Sequence, residues 1–240
     1  MALGVGVRDR HAGELEKCRM KSFAKSTWLI PAGLLILSLL PLLGGAHRIS
    51  ELIGGAEITK DNARFFAAPV PIVLHVISCS VYFVLGAFQF SPDFRSNNRR
   101  WHRTAGRILI PTGLASAATG MWMAVVYPPL FGDGTALTYI RLMVGGAMML
   151  FVCLGFAAIR QRAFNDHRAW MMRAYALAIA AGSQPLTLGI VFVIYGAFGE
   201  MEYTLGMTAG WLLNLAVAEW FIRRRKNPEV LRVRVENSVG

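Results

Sequence analysis

Six stretches of this sequence run for about a bilayer's thickness with almost no charged side chain. They are Thr27–Ala46, Ala67–Phe90, Ile108–Tyr127, Leu142–Ile159, Ala174–Phe198 and Thr204–Ile222. Crossing a hydrocarbon core as a helix takes roughly 17–25 residues, and each run reaches or nearly reaches that length. Glu219, near the end of the sixth, is the single charge among them. Lipid offers no hydrogen bonds to a backbone, so apolar runs this long are helices, and no strand-like alternation competes. The expected fold is all-α, a six-helix transmembrane bundle. No linker divides the 240 residues, so one membrane domain is expected over 27–222. A basic N-terminal segment (1–26) precedes it and a basic tail (223–240) follows it.

The basic residues give the expected orientation. Of 25 Lys and Arg, 21 fall in the two termini and in the loops after the second and fourth runs. The remaining four are Arg48, Lys60, Arg64 and Arg141. The positive-inside rule then puts both termini in the cytoplasm. A net charge of +11 on a soluble chain would suggest nucleic acid; here the charge follows the topology, so a nucleic-acid partner is not expected. Gly44-Gly45-Ala46 after an apolar stretch imitates a secretion-signal cleavage site. The 20 uncharged residues before that point exceed the usual signal core of about 7–15, so the first run reads as a retained helix. Cys18, Cys79 and Cys153 lack the spacing of a metal site or a disulfide framework.

Polar groups inside the runs are few and patterned. In the second run His75, Cys79, Tyr82, Gly86 and Gln89 follow steps of 4, 3, 4 and 3, which place them on one helical face. Such a face turns away from lipid, either as a packed interface or as a ligand, cofactor or proton-path surface. Pro185 follows Gly182-Ser183-Gln184 in the fifth run and should bend that helix. Asn214 of the sixth run is placed to bond Gln184, and Glu219 to meet inner-side arginines.

The two inner loops share a pattern. Trp101-His102-Arg103 leads to Gly106-Arg107 before the third run, and Asp166-His167-Arg168 leads to Arg173 before the fifth. The two histidines, 65 residues apart, are each expected at a helix N-terminus, with Asp166 as a candidate N-cap. His102, Arg103, Arg107, His167, Arg168 and Arg173 are the candidate binding residues. The positive ends of two helices plus guanidiniums suit an anionic group, such as a lipid phosphate or a partner membrane subunit. The same parts describe haem b, with His102 and His167 as iron ligands and arginines on the propionates, or a quinone site. His75, about 12 Å inside the opposite boundary, cannot share an iron with either; Met121 or Met123 matches its depth better.

The segments Leu74-His75, Gly86-Ala87-Phe88-Gln89-Phe90, Trp101-His102-Arg103 with Gly106-Arg107, and His167-Arg168-Ala169-Trp170-Met171-Met172-Arg173-Ala174-Tyr175-Ala176 carry a resemblance. They look like a bacterial family of multi-pass membrane proteins defined by a domain of unknown function. The resemblance covers roughly 74–184 and implies a multi-pass membrane fold without implying an activity. In architecture alone the chain is similar to b561-type di-haem cytochromes, which also carry histidines on successive helices of a six-helix bundle.

Three function classes follow: anionic-lipid or partner binding at the inner loops, electron transfer through haem or quinone, and small-molecule transport. Transport draws on the Pro-broken fifth run and the polar second run. Nucleophile, phosphate-loop and metalloprotease motifs are absent; Gly4-Val5-Gly6 lacks the later glycine of a dinucleotide loop.

Overall fold

In a computed structural model the chain is all-helical, and residues 5–129 and 132–226 are described. Residues before Trp28, and 92, 93, 95, 225 and 226, are described by backbone alone. The helices are α1 (Val5–Gly54), α2 (Ala63–Ala67), α3 (Pro69–Gln89), α4 (Pro92–Asn97), α5 (Arg99–Val126), α6 (Thr135–Arg160), α7 (Phe164–Tyr195) and α8 (Glu200–Lys226). No strand occurs among the described residues. Six segments are long and apolar enough to cross a membrane: Trp28–Gly54 of α1, all of α3, α5, α6 and α7, and Glu200–Arg224 of α8. An even number of crossings leaves the two ends of the bundle domain on one face, called here the termini face. The backbone of α1 is continuous across the boundary expected at residue 26. The tail beyond 226, including Arg232 and Arg234, lies outside the described residues.

Local chemistry sets the ends. Pro69 opens α3, where a missing N–H costs nothing. Ser91 caps α4 by accepting the Phe94 N–H on its side-chain oxygen, 3.4 Å. The left-handed Gly196 (φ 75°) closes α7 and donates its N–H to Phe192 O.

Four helices close a ring in the order α3, α5, α6, α7, with α5 and α7 diagonal. The buried centre holds Tyr82, Phe83, Leu109, Met148, Val152 and Tyr175. Helix α1 lies against α3 and α7, and α8 against α7. Small residues permit these approaches, as is usual where lipid supplies no hydrophobic drive between helices. Gly86 accepts the Tyr175 ring, Gly113 the Tyr82 ring, and Gly182 the backbone of α1 at Leu37. Gly206 and Gly210, one turn apart on α8, meet α7 at Leu188 and at Gln184. Pro185 sits inside an uninterrupted α7.

Candidate functional site

The stripe on α3 faces its neighbours in the bundle. Tyr82 and Gly86 are buried, and His75 and Cys79 face α5. His75 Nδ1 lies 3.0 Å from the Ser116 carbonyl oxygen, which can only accept, so Nδ1 carries the proton. Nε2 is then the lone-pair nitrogen, and Cys79 Sγ stands 3.4 Å from it as a thiol donor. Ser116 Oγ is 3.1 Å from the same sulfur. Both ring nitrogens are thus engaged within the α3–α5 interface. Ser116 and Thr119 meet the ring, while Met121, one of the two methionines matched to its depth, packs toward Gly145 of α6. At the other end of the stripe Gln89 donates to the backbone oxygen of His102, 3.4 Å. The Tyr82 hydroxyl is buried without a hydrogen-bond partner among the described residues.

Helices α7 and α8 are joined by a ladder of polar contacts. Thr187 Oγ1 donates to Gly206 O (2.7 Å), and Gln184 Nε2 to Met207 O (3.3 Å). Asn214 donates to Ser183 Oγ and to Gly210 O (2.8 Å). The expected bond from Asn214 to Gln184 is therefore corrected by one residue, about 100° of helix rotation. Toward the termini face Arg173 grips the Glu219 carboxylate through Nε and Nη2, the second contact at 3.1 Å. Arg223 approaches the same carboxylate at 3.9 Å. The polar residues of the fifth and sixth spans serve this seam.

His102 and His167 occupy equivalent places, each the fourth residue of its helix. Each gives its backbone N–H to the residue preceding the helix, Asn98 O and Ala163 O, both at 2.9 Å. The cap of α7 is Ala163, and Asp166 lies within the first turn, so the N-cap expected at Asp166 is corrected. The helix starts earlier than expected because Arg162, at φ 60°, ends the turn from α6. His167 Nδ1 is 2.8 Å from the Gly155 carbonyl of α6, which again fixes the proton on Nδ1 and leaves Nε2 as the lone-pair nitrogen.

The six inner-loop residues are divided between two diagonal helices. Arg103 and Arg107 are exposed on α5, and His102 is tied to α3 through its carbonyl. His167, Arg168 and Arg173 are half-buried on α7. A concavity of about 480 Å³ lies where α6 gives way to α7, lined by Leu154, Ala157, Gln161, Asp166, Trp170 and Arg173 among others. Of the six, Arg173 alone is among its lining residues. Guanidiniums at this end stack on aromatic rings of their own helices: Arg160 on Phe156 (5.9 Å), Arg173 on Trp170 (4.6 Å) and Arg224 on Trp220 (3.8 Å). Trp101 joins Phe88, Phe94 and Trp28 in an aromatic cluster across α1, α3, α4 and α5. No group of three or more His, Cys, Asp or Glu able to hold a metal occurs among the described residues.

Sequence reasoning missed two features. The Gly206-x-x-x-Gly210 spacing was readable as a helix-contact motif. The second is on the face opposite the termini, where Arg48 and Arg64 meet over Phe65, Arg64 also approaches Tyr127, and the Arg141–Asp133 pair lies near enough to act on Arg64; their distance along the chain leaves no motif.

Six apolar spans, a ring of four helices and membrane-depth polar contacts satisfied between helices define an integral, multi-pass α-helical membrane protein. Residues 72–222 match the family described as "Predicted membrane protein (DUF2306)", and the chain belongs to that family. The match runs from α3 into α8 and leaves α1 outside. No curated protein and no solved structure matches the chain.

Proposed function

We propose that this protein sits in a bacterial cytoplasmic membrane with both termini inside, and that its termini face binds the phosphate groups of anionic lipids. The carrying observation is the set of guanidinium–aromatic pairs on α6, α7 and α8 at one end of the bundle. Aromatic rings favour the headgroup level, and a guanidinium held over a ring keeps donors for phosphate oxygens, as Arg160 and Arg224 do, while Arg173 uses two of its own on Glu219. Exposed Arg103 and Arg107 extend the same rim on α5. The α6–α7 concavity, lined by Leu154, Ala157 and Trp170 beside Asp166 and Arg173, opens at the same end. The basic excess on this face supports the orientation. A partner subunit with an acidic juxtamembrane segment would use the same arginines.

The test is co-purification and exchange of lipids in nanodiscs. Phosphatidylglycerol should be enriched over phosphatidylcholine around the wild type, less so in high salt, and less so after Arg103→Gln, Arg107→Gln and Arg224→Gln together. Equal enrichment in all three cases overturns the lipid reading. Sided reporters fused after Gly240 test the orientation.

A second reading rests on His167. Its Nδ1–Gly155 bond is the anchoring used by metal-bound imidazoles, with Nε2 left as donor to iron. It expects haem absorbance in purified protein, lost in His167→Ala; a colourless protein after expression with haem supply removes it.

A further inference from the structure

Four of the 25 basic residues fall on the face opposite the termini, and three of them meet in one place. Arg48, from the end of α1, and Arg64, from α2, lie over the same Phe65 ring at 4.4 and 4.7 Å. Their separation cannot exceed the sum of those distances. Arg64 also approaches the Tyr127 ring at 6.0 Å, and Tyr127 in turn packs edge-on against Phe65. Arg141, from the first turns of α6, completes the group.

Two carboxylates answer two of the three cations. Glu51 pairs with Arg48 at 2.5 Å, and Asp133 with Arg141 at 2.7 Å. Arg64 has a carbonyl instead: Nη1 donates to Pro128 O at 3.1 Å. Its Nε is buried without a hydrogen-bond partner among the described residues. Burial, helped by the neighbouring Arg141 and Arg48, lowers the Arg64 pKa below the ordinary arginine value, against the pull of Asp133. Counting these five side chains alone, three guanidiniums meet two carboxylates, and Asp133 acts on Arg64 as well as on Arg141. The Arg48 and Arg141 side chains each remain about a quarter exposed, so the charge is reachable from solvent.

We infer that Arg48, Arg64 and Arg141 form an oxyanion-binding site, taking a phosphate group on the face opposite the termini. An oxyanion there removes the surplus charge and accepts from guanidinium edges that the aromatic rings hold in place. The chemistry is common to free phosphate and to a lipid headgroup, and it is independent of the lipid rim proposed for the other face.

The test uses full-length protein in detergent titrated with inorganic phosphate by calorimetry, and in nanodiscs of phosphatidylcholine with or without phosphatidylglycerol. Arg64→Gln should weaken binding at least about tenfold, the loss of a charge-assisted hydrogen bond. Lys60→Gln, in the same loop, and Arg103→Gln with Arg107→Gln, on the other face, should leave it unchanged. A response in the phosphate arm identifies a free anion, and one confined to phosphatidylglycerol identifies a headgroup. Either is accepted only if Arg64→Gln weakens it by at least that factor. If Arg64→Gln does not fold, Arg48→Gln takes its place with the same expectation. Absence of both responses in the wild type, or full binding by the variant, overturns the site.

Discussion

Gly182 is the point where the first helix is held closest to the bundle. A methyl group built there overlaps the Leu37 carbonyl oxygen and crowds the Leu37 side chain. The obstacle is backbone on both sides, so no rotamer relieves it; α1 and α7 must part by on the order of 1 Å. Overpacking of this kind costs about 1–3 kcal/mol, against which alanine's better helix propensity returns about 0.5–1. The same helix contains its own control: Gly189 is exposed and has nothing within 4 Å of an added Cβ. Gly189→Ala should therefore be neutral or stabilising, and since both variants share the propensity gain, Gly182→Ala should lose about 1–3 kcal/mol relative to it. Thermal unfolding in one detergent, followed by circular dichroism, compares the two. Limited proteolysis checks where the damage falls, since Gly182→Ala should release the α1 segment before the other spans. Equal melting of the two variants, or a more stable Gly182→Ala, would refute the close approach of α1 to α7. Because α1 lies outside the family match, this result also bears on how firmly the matched segment holds it.

Two further outcomes are expected. In a double-mutant cycle on Arg173→Met and Glu219→Gln, the bidentate pair at 21% and 27% exposure should give a coupling of about 1–2 kcal/mol, above surface pairs and below fully buried ones; additive single losses would deny the pairing. Tyr82→Phe removes a buried hydroxyl without a hydrogen-bond partner and should leave stability unchanged or raise it by up to about 1 kcal/mol. A loss larger than that in thermal unfolding would mean the hydroxyl has a partner.

The six crossings were legible because a bilayer filters for one property, uninterrupted apolar length, and hydropathy reads that property directly. Hydropathy reads depth, however, and not helix length. The apolar runs begin at Ile108 and Ala174, whereas α5 and α7 begin at Arg99 and Phe164, since a helix once started continues through charged turns outside the lipid. The inward face of α3 was legible from period alone, because His75, Cys79 and Tyr82 have no alternative partner in lipid. The Arg173–Glu219 pair followed from depth and charge. Partners at single-residue resolution did not: Asn214 selects Ser183 over Gln184 through helix rotation, which only the packing of α8 on α7 decides. Convergence across the fold was least legible. The inner histidines share a loop pattern in sequence; that their helices stand on a diagonal of the ring follows only from the packing order. Arg48, Arg64 and Arg141 have no shared motif; the first two meet over Phe65 because the end of α1 and α2 arrive at one place, and Arg141 of α6 comes near enough to act on Arg64. Similar local sequence reports similar membrane boundaries, whereas a charge cluster assembled from dissimilar segments reports what the folded bundle brings together.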